Sequence, residues 1–304
     1  MRIITLPDVT LVSSTIPVNY YLGAVIPAWG IASYSVGDIV YDGAATPHYV
    51  YRCKTAITSS GTDLVPRLDT SRWELVGTTD RWAMFDNMRN SQGRYLTEFS
   101  GEVSCAGCNF VGLYNLDAVE VELTFMVGSE VIKTETFGLR SPISTPDWFD
   151  YFFENTAQKT QLSWEFPIYG STGRLLYRIA HVAGTVVKCG VFRPGIIYDA
   201  GRTQKGLSSK VIDYSNKAST SLSMVVPGGN ADDIDLTLIL PFERVESVYQ
   251  AFKSNCGRAA IYDCNNDDEE PLESFVLYAL FKSFERVFQY GQFVRCNVSL
   301  QGLT

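Results

Sequence analysis

At 304 residues the chain is long enough for two or three compact units, each able to bury a core. Hydrophobic residues make up 46% and charged residues 19%, a globular rather than a disordered balance, with charge sparse enough to predict a surface that is uncharged or covered by partners. The 25 basic residues are outnumbered by 33 acidic ones and form no run that could follow a phosphate backbone, which argues against nucleic acid as a partner.

Residues 1–25 read as an N-terminal arm. It opens Met1-Arg2-Ile3-Ile4-Thr5-Leu6-Pro7, too short and too early broken by proline for a secretory apolar region. No stretch of the sequence reaches the roughly 20 apolar residues that a membrane helix needs. The expectation is synthesis in a cytoplasm and no membrane insertion.

Residues 26–80 are short, aromatic and rich in turns. Gly37-Asp38 and Asp42-Gly43 bracket a short strand, and Tyr49-Val50-Tyr51-Arg52-Cys53 is its antiparallel partner. A unit of only about fifty residues has little interior for aliphatic side chains, so aromatic rings must supply most of the buried area. Trp29, Tyr34, Tyr51 and Trp73 fill that role in one reading. In the other, one or more of Trp29, Tyr34, Tyr49, Tyr51 and Trp73 is exposed and stacks on the apolar face of a sugar.

Residues 81–200 carry about eight strands, the length and spacing of a two-sheet sandwich or jelly roll. Alternation is clearest in Val119-Glu120-Val121-Glu122-Leu123-Thr124-Phe125, where every second residue is apolar and one face of a sheet is half-buried. The same period recurs from Leu175 to Ala180 and from Val186 to Phe192. Residues 201–304 read as an α+β assembly domain, with strands from Ile234 to Leu240 and Arg295 to Leu300 around one helix, Glu243 to Lys253. After Pro241, the helix places Val245, Val248, Tyr249 and Phe252 on one face. The fold class is thus mainly β: a small aromatic module, a sandwich and an α+β domain.

The chemistry-bearing residues are few. Seven cysteines scattered over a long chain do not resemble a disulfide framework, and are expected to be reduced and mostly buried. Cys105-Ala-Gly-Cys108 is a lone CxxC, to which neither His48 nor His181 adds a zinc-ligand spacing. The acidic run Asp263-Cys264-Asn265-Asn266-Asp267-Asp268-Glu269-Glu270 lacks calcium-loop spacing and reads as a solvated loop. There is no nucleophile elbow, zinc-protease helix, phosphate loop or dinucleotide fingerprint. The expectation is therefore no catalytic residue, no metal and no cofactor.

The order Trp29, Tyr34-Ser35-Val36-Gly37-Asp38-Ile39-Val40, a turn, Tyr51-Arg52-Cys53, Pro66 and Trp73-Glu74-Leu75-Val76-Gly77 resembles carbohydrate-binding modules of the chitin-binding type. Such modules occur on chitinases and on phage tail proteins. The adjacent exposed tryptophans usual after the second strand are replaced by Lys54-Thr55-Ala56-Ile57-Thr58, so the usual stacking platform is missing. A chitinase partner domain is not implied. The acidic strand Asp232-Asp233-Ile234-Asp235-Leu236-Thr237-Leu238-Ile239 resembles the catalytic strand of barrel chitinases, but Thr237 and Ile239 occupy its carboxylate places.

Next, Thr78-Thr79-Asp80-Arg81-Trp82-Ala83-Met84-Phe85-Asp86 resembles a junction that follows such modules in phage virion proteins. The stretches Tyr198 to Gly206, Val211 to Ser215, Leu277 to Phe284 and Cys296 to Leu303 are similar to structural proteins encoded near phage tail genes. The resemblance implies a non-enzymatic virion subunit of the tail or baseplate. It also implies that the subunit forms a homo-oligomer, docks other tail, baseplate or fibre proteins, and takes host-surface glycan as a ligand of the module. The alternatives are a glycan-hydrolysing tail enzyme and a purely structural collar or joining protein.

Overall fold

The computed structural model describes residues 1–304 except 60, 62, 87–90, 141–157, 171, 205–206, 214–215, 219–223, 227–229, 266–271, 289–291 and 304. The protein is mainly β, and among the described residues the α-helices are Asp80–Ala83 and Phe242–Ser254. Its sheets are antiparallel, and it forms two compact units. One comprises Met1–Asp8, Cys108–Gly112 and Pro194–Thr304, and the other Val9–Gly107 and Leu113–Arg193.

In the unit that holds the C-terminal residues, strand Arg2–Thr5 lies between residues 196–199 and Ala259–Asp263. The order continues through Val276–Val287, Phe293–Gly302 and Asn230–Pro241, with Arg202–Thr203 and Ser208–Asp213 both pairing to the last. Helix Phe242–Ser254 begins after Pro241, whose fixed φ suits a helix entry. It buries Val245, Val248 and Phe252, the spacing of a single apolar stripe. Phe252 meets Tyr262, Phe281 and Phe284 at centroid distances of 6.2, 5.1 and 4.9 Å. This is the predicted α+β region, and the helix is the predicted one extended by a residue at each end.

The expected N-terminal arm is replaced by paired structure. Ile3 and Ile4 are fully buried because their strand is hydrogen-bonded on both sides, and Thr10–Ser14 is a sheet strand of the other unit. The segment 26–80 falls inside that other unit, while residues 194–200 leave the expected sandwich domain. Non-local pairing decides both boundaries: the Asn109 amide donates to Gly195 O at 3.1 Å, and the Ile197 amide to Asn109 Oδ1 at 2.9 Å.

The second unit contains a five-stranded sheet in the order Glu130–Gly138, Glu120–Val127, Gly173–Ala180, Glu98–Ser104, Thr10–Ser14. Its registers align Val121, Ile179 and Phe99 on one rung and Phe125, Leu175 and Val103 on another, all buried. The rung between them adds the buried Leu123 and Tyr177, and the alternate residues Glu120, Glu122 and Thr124 lie on the other, more accessible face, as period-two alternation requires. A second strand set, in which residues 186–189 pair with Gly93–Leu96, contributes Phe192 to the same core. Tyr177 and Phe192 meet at 4.8 Å, so side chains of the two strand sets pack together in this core.

Candidate functional site

The aromatic module is a three-stranded sheet, Ile39–Asp42, Tyr49–Cys53 and Trp73–Thr78. Its first turn explains the Gly-Asp pair. Gly37 has φ 95°, a conformation that favours glycine, and its amide donates to Cys53 O at 2.8 Å. The Asp38 carboxylate accepts the Ser35 amide at 2.7 Å and closes the turn. At the second turn the buried Asp42 accepts the Ala44 amide at 3.0 Å and the Arg67 guanidinium at 2.8 Å.

Of the five rings singled out in the sequence, two lie in the module core: Trp73 is 2% exposed and Tyr51 7%. Neither has a free face for a ligand. Tyr34 packs edge-on against Trp73 at 5.0 Å, and its hydroxyl both donates to Gly30 O and accepts from the Gly30 amide. It is a latch for the loop before the first strand. Trp29 and Tyr49 are half-buried against the same core, each with part of its surface accessible. The structure therefore gathers the five residues around one core, but not as a flat platform of exposed rings.

The junction joins the module to this core through buried side chains. Trp82, Met84 and Phe85 are buried, and Phe85 reaches Phe192 and Tyr177 at 5.8 and 6.5 Å. Asp80, also buried, accepts the amides of Leu22 and Gly23 at 2.9 and 2.7 Å. Both of those residues have positive φ, so the carboxylate fixes the tight turn of a two-stranded hairpin. Burial raises the Asp80 carboxyl above the usual carboxylate range, against the downward pull of the two amides and of Arg94.

The other chemistry-bearing groups remain dispersed. Burial lowers the pKa of His48, which lies 6.0 Å from the Trp82 ring, while His181 sits 3.6 Å from Asp117. Six of the seven cysteines are buried, and burial pushes Cys108 and Cys296 up to about 11 and Cys264 to about 12. Among the described residues no group of three His, Cys, Asp or Glu side chains could hold a metal. Residues 266–270 of the acidic run lie outside the described residues. On the chitinase-like strand Asp235 accepts the Ser299 hydroxyl.

Sequence reasoning missed the solvent face of the five-stranded sheet. Arg178 donates to Glu98 at 2.7 Å and to Glu120 at 3.0 Å, with Glu122 at 3.8 Å. Arg174, four residues along the same strand, donates to Glu102 at 2.9 Å. Between the arginines Leu176 faces the same side, flanked by Thr124 and Glu102 on the adjoining strands. Glu102, Glu122, Thr124, Leu176 and Arg178 line a groove of about 320 Å³, together with Ser13 and Ser100. The period-two spacing of Glu98, Ser100 and Glu102, and of Glu120, Glu122 and Thr124, was the available signal. Without the strand order it shows only which residues share a face.

No family model, curated protein or solved structure matches this chain.

Proposed function

We propose that this chain is a non-enzymatic structural and adhesive subunit of a tailed bacteriophage, placed in the tail or baseplate region, that assembles with itself and with neighbouring tail proteins. The module order, the junction segment and the later stretches quoted from the sequence support the phage assignment. One structural observation carries the assembly role. Beside the C-terminal unit's helix, Phe242, Phe288 and Phe293 are 64, 60 and 57% exposed.

Phe242 and Phe288 meet at 6.4 Å, and strand register sets Phe293 opposite Pro241, one residue from Phe242. Arg286 covers Tyr249 at 4.2 Å and Phe288 at 6.0 Å. Large aromatics beside an arginine are the side chains that dominate protein interfaces, and leaving three of them in water is unfavourable. A second copy of this chain is the occupant we assign, closed symmetry being the usual outcome for identical subunits.

Sedimentation velocity of the full chain tests this reading. A discrete trimer or ring that dissociates in a Phe242→Ser, Phe288→Ser, Phe293→Ser variant supports it, and a monomer at every concentration overturns self-assembly. Release of reducing sugar from host envelopes by the purified chain would instead favour the glycan-hydrolysing alternative.

A further inference from the structure

We infer that the groove on the solvent face of the five-stranded sheet is a binding site for a neutral, polyhydroxylated ligand, a short segment of saccharide. The inference rests on the adhesive part of the proposal above and moves the sugar contact from the aromatic module to the sheet.

The argument begins with which ligands the groove would reject. Two carboxylates, Glu102 and Glu122, line the groove beside one guanidinium, that of Arg178, which is paired with Glu98 and Glu120, while Glu102 is paired with Arg174. Anions meet an excess of negative charge, and each arginine is already engaged by carboxylate. A metal would need converging ligands, and no such group occurs among the described residues. An apolar ligand would find Leu176 as the aliphatic floor and hydroxyls or charges around it.

What fits is a molecule that brings many hydroxyl donors and some C–H surface. The carboxylates retain lone pairs beyond those used by the arginines, since each oxygen accepts more than one hydrogen bond. Ser13 and Ser100 add hydroxyls along one wall, and Leu176 offers the apolar contact that a sugar ring's C–H face needs. The groove volume of about 320 Å³ is at the small end of ligand sites, suited to one or two sugar rings. Preorganisation also favours binding, because residues on hydrogen-bonded strands and clamped in ion pairs lose little entropy when a ligand arrives. Thr124 is held in the same way, its hydroxyl 3.0 Å from that of Thr134.

The test uses the full chain on an array of neutral and acidic glycans, followed by titration of the best ligand. Ser13→Trp and Ser100→Trp fill the groove without removing an ion pair, and Glu122→Gln removes charge at nearly constant volume. Trp29→Ala reports on the module, and circular dichroism verifies each fold. Expected is binding of a neutral saccharide that falls on the order of tenfold or more with either tryptophan, and changes little with Trp29→Ala.

Binding that survives both groove-filling changes but is lost in Trp29→Ala overturns the inference and leaves adhesion to the module. Binding restricted to acidic glycans also overturns it. If the folded chain binds no glycan at all, both the inference and the adhesive role fail, while the self-assembly reading keeps its own test.

Discussion

Replacing Trp73 by alanine should destabilise the aromatic module more than replacing Trp29. Trp73 is 2% exposed, so nearly all of its side-chain area is withdrawn from water. A buried tryptophan covers about 150–250 Å², which at about 25 cal/mol per Å² corresponds to about 4–6 kcal/mol. Truncation of buried Trp in other cores costs about 3–5 kcal/mol, and we expect that range here. The edge contact with Tyr34 at 5.0 Å is lost in the same change, which also frees the latch on Gly30.

Trp29 is half-buried, so by the same area rule the cost of Trp29→Ala should be about 2–3 kcal/mol. Urea unfolding of the full chain, monitored by far-ultraviolet circular dichroism, measures the stability loss. Limited proteolysis within residues 26–80 shows whether the loss is local to the module. A Trp73→Ala protein destabilised by less than about 1 kcal/mol, with unchanged proteolysis, would refute the assignment of that ring to the core.

Three further outcomes follow from the packing. The buried Asp80 carboxyl titrates above its ordinary value when folded, so the native state binds more protons than the unfolded one between those two values. The Asp80 contribution to stability should therefore be fully present below the ordinary pKa of 3.8 and decline as pH rises through the raised folded value. The difference in stability between wild type and Asp80→Asn, followed against pH, should show that decline; a flat difference contradicts it. At Gly101 a Cβ would sit 2.3 Å from Tyr177 Oη and 2.5 Å from Ser13 O, so Gly101→Ala should cost about 1–3 kcal/mol by thermal unfolding. Finally, Cys256 alone of the seven thiols is exposed, so a thiol reagent should label one cysteine in the native protein and all seven in denaturant.

The parts legible in the sequence were those with a local period. The alternation of Val121, Leu123 and Phe125 gave the buried face of a strand, and Val245, Val248 and Phe252 after Pro241 gave the helix. The turn glycine Gly37 was legible for the same reason, because its conformation is set by its immediate neighbours. Strand Arg2–Thr5 was not, since its burial comes from residues 196–199 and 261–263, far away in sequence.

Tyr51 shows a subtler limit. Strict alternation would put Val50 and Tyr51 on opposite faces, one of them exposed. A register shift between them against strand Trp73–Thr78 accompanies the burial of both. The sheet groove was illegible for a third reason: Ser13, Ser100, Glu122 and Leu176 come from four strands, and only the strand order brings them together.

The proposed placement of the chain in a phage tail is tested most directly by immunogold electron microscopy of particles purified from a lysate of cells that carry its gene. Antibody raised against the folded chain should label the tail or baseplate at a fixed position on every particle. Particles that carry no label, and whose peptides by mass spectrometry include none from this chain, would contradict the proposal.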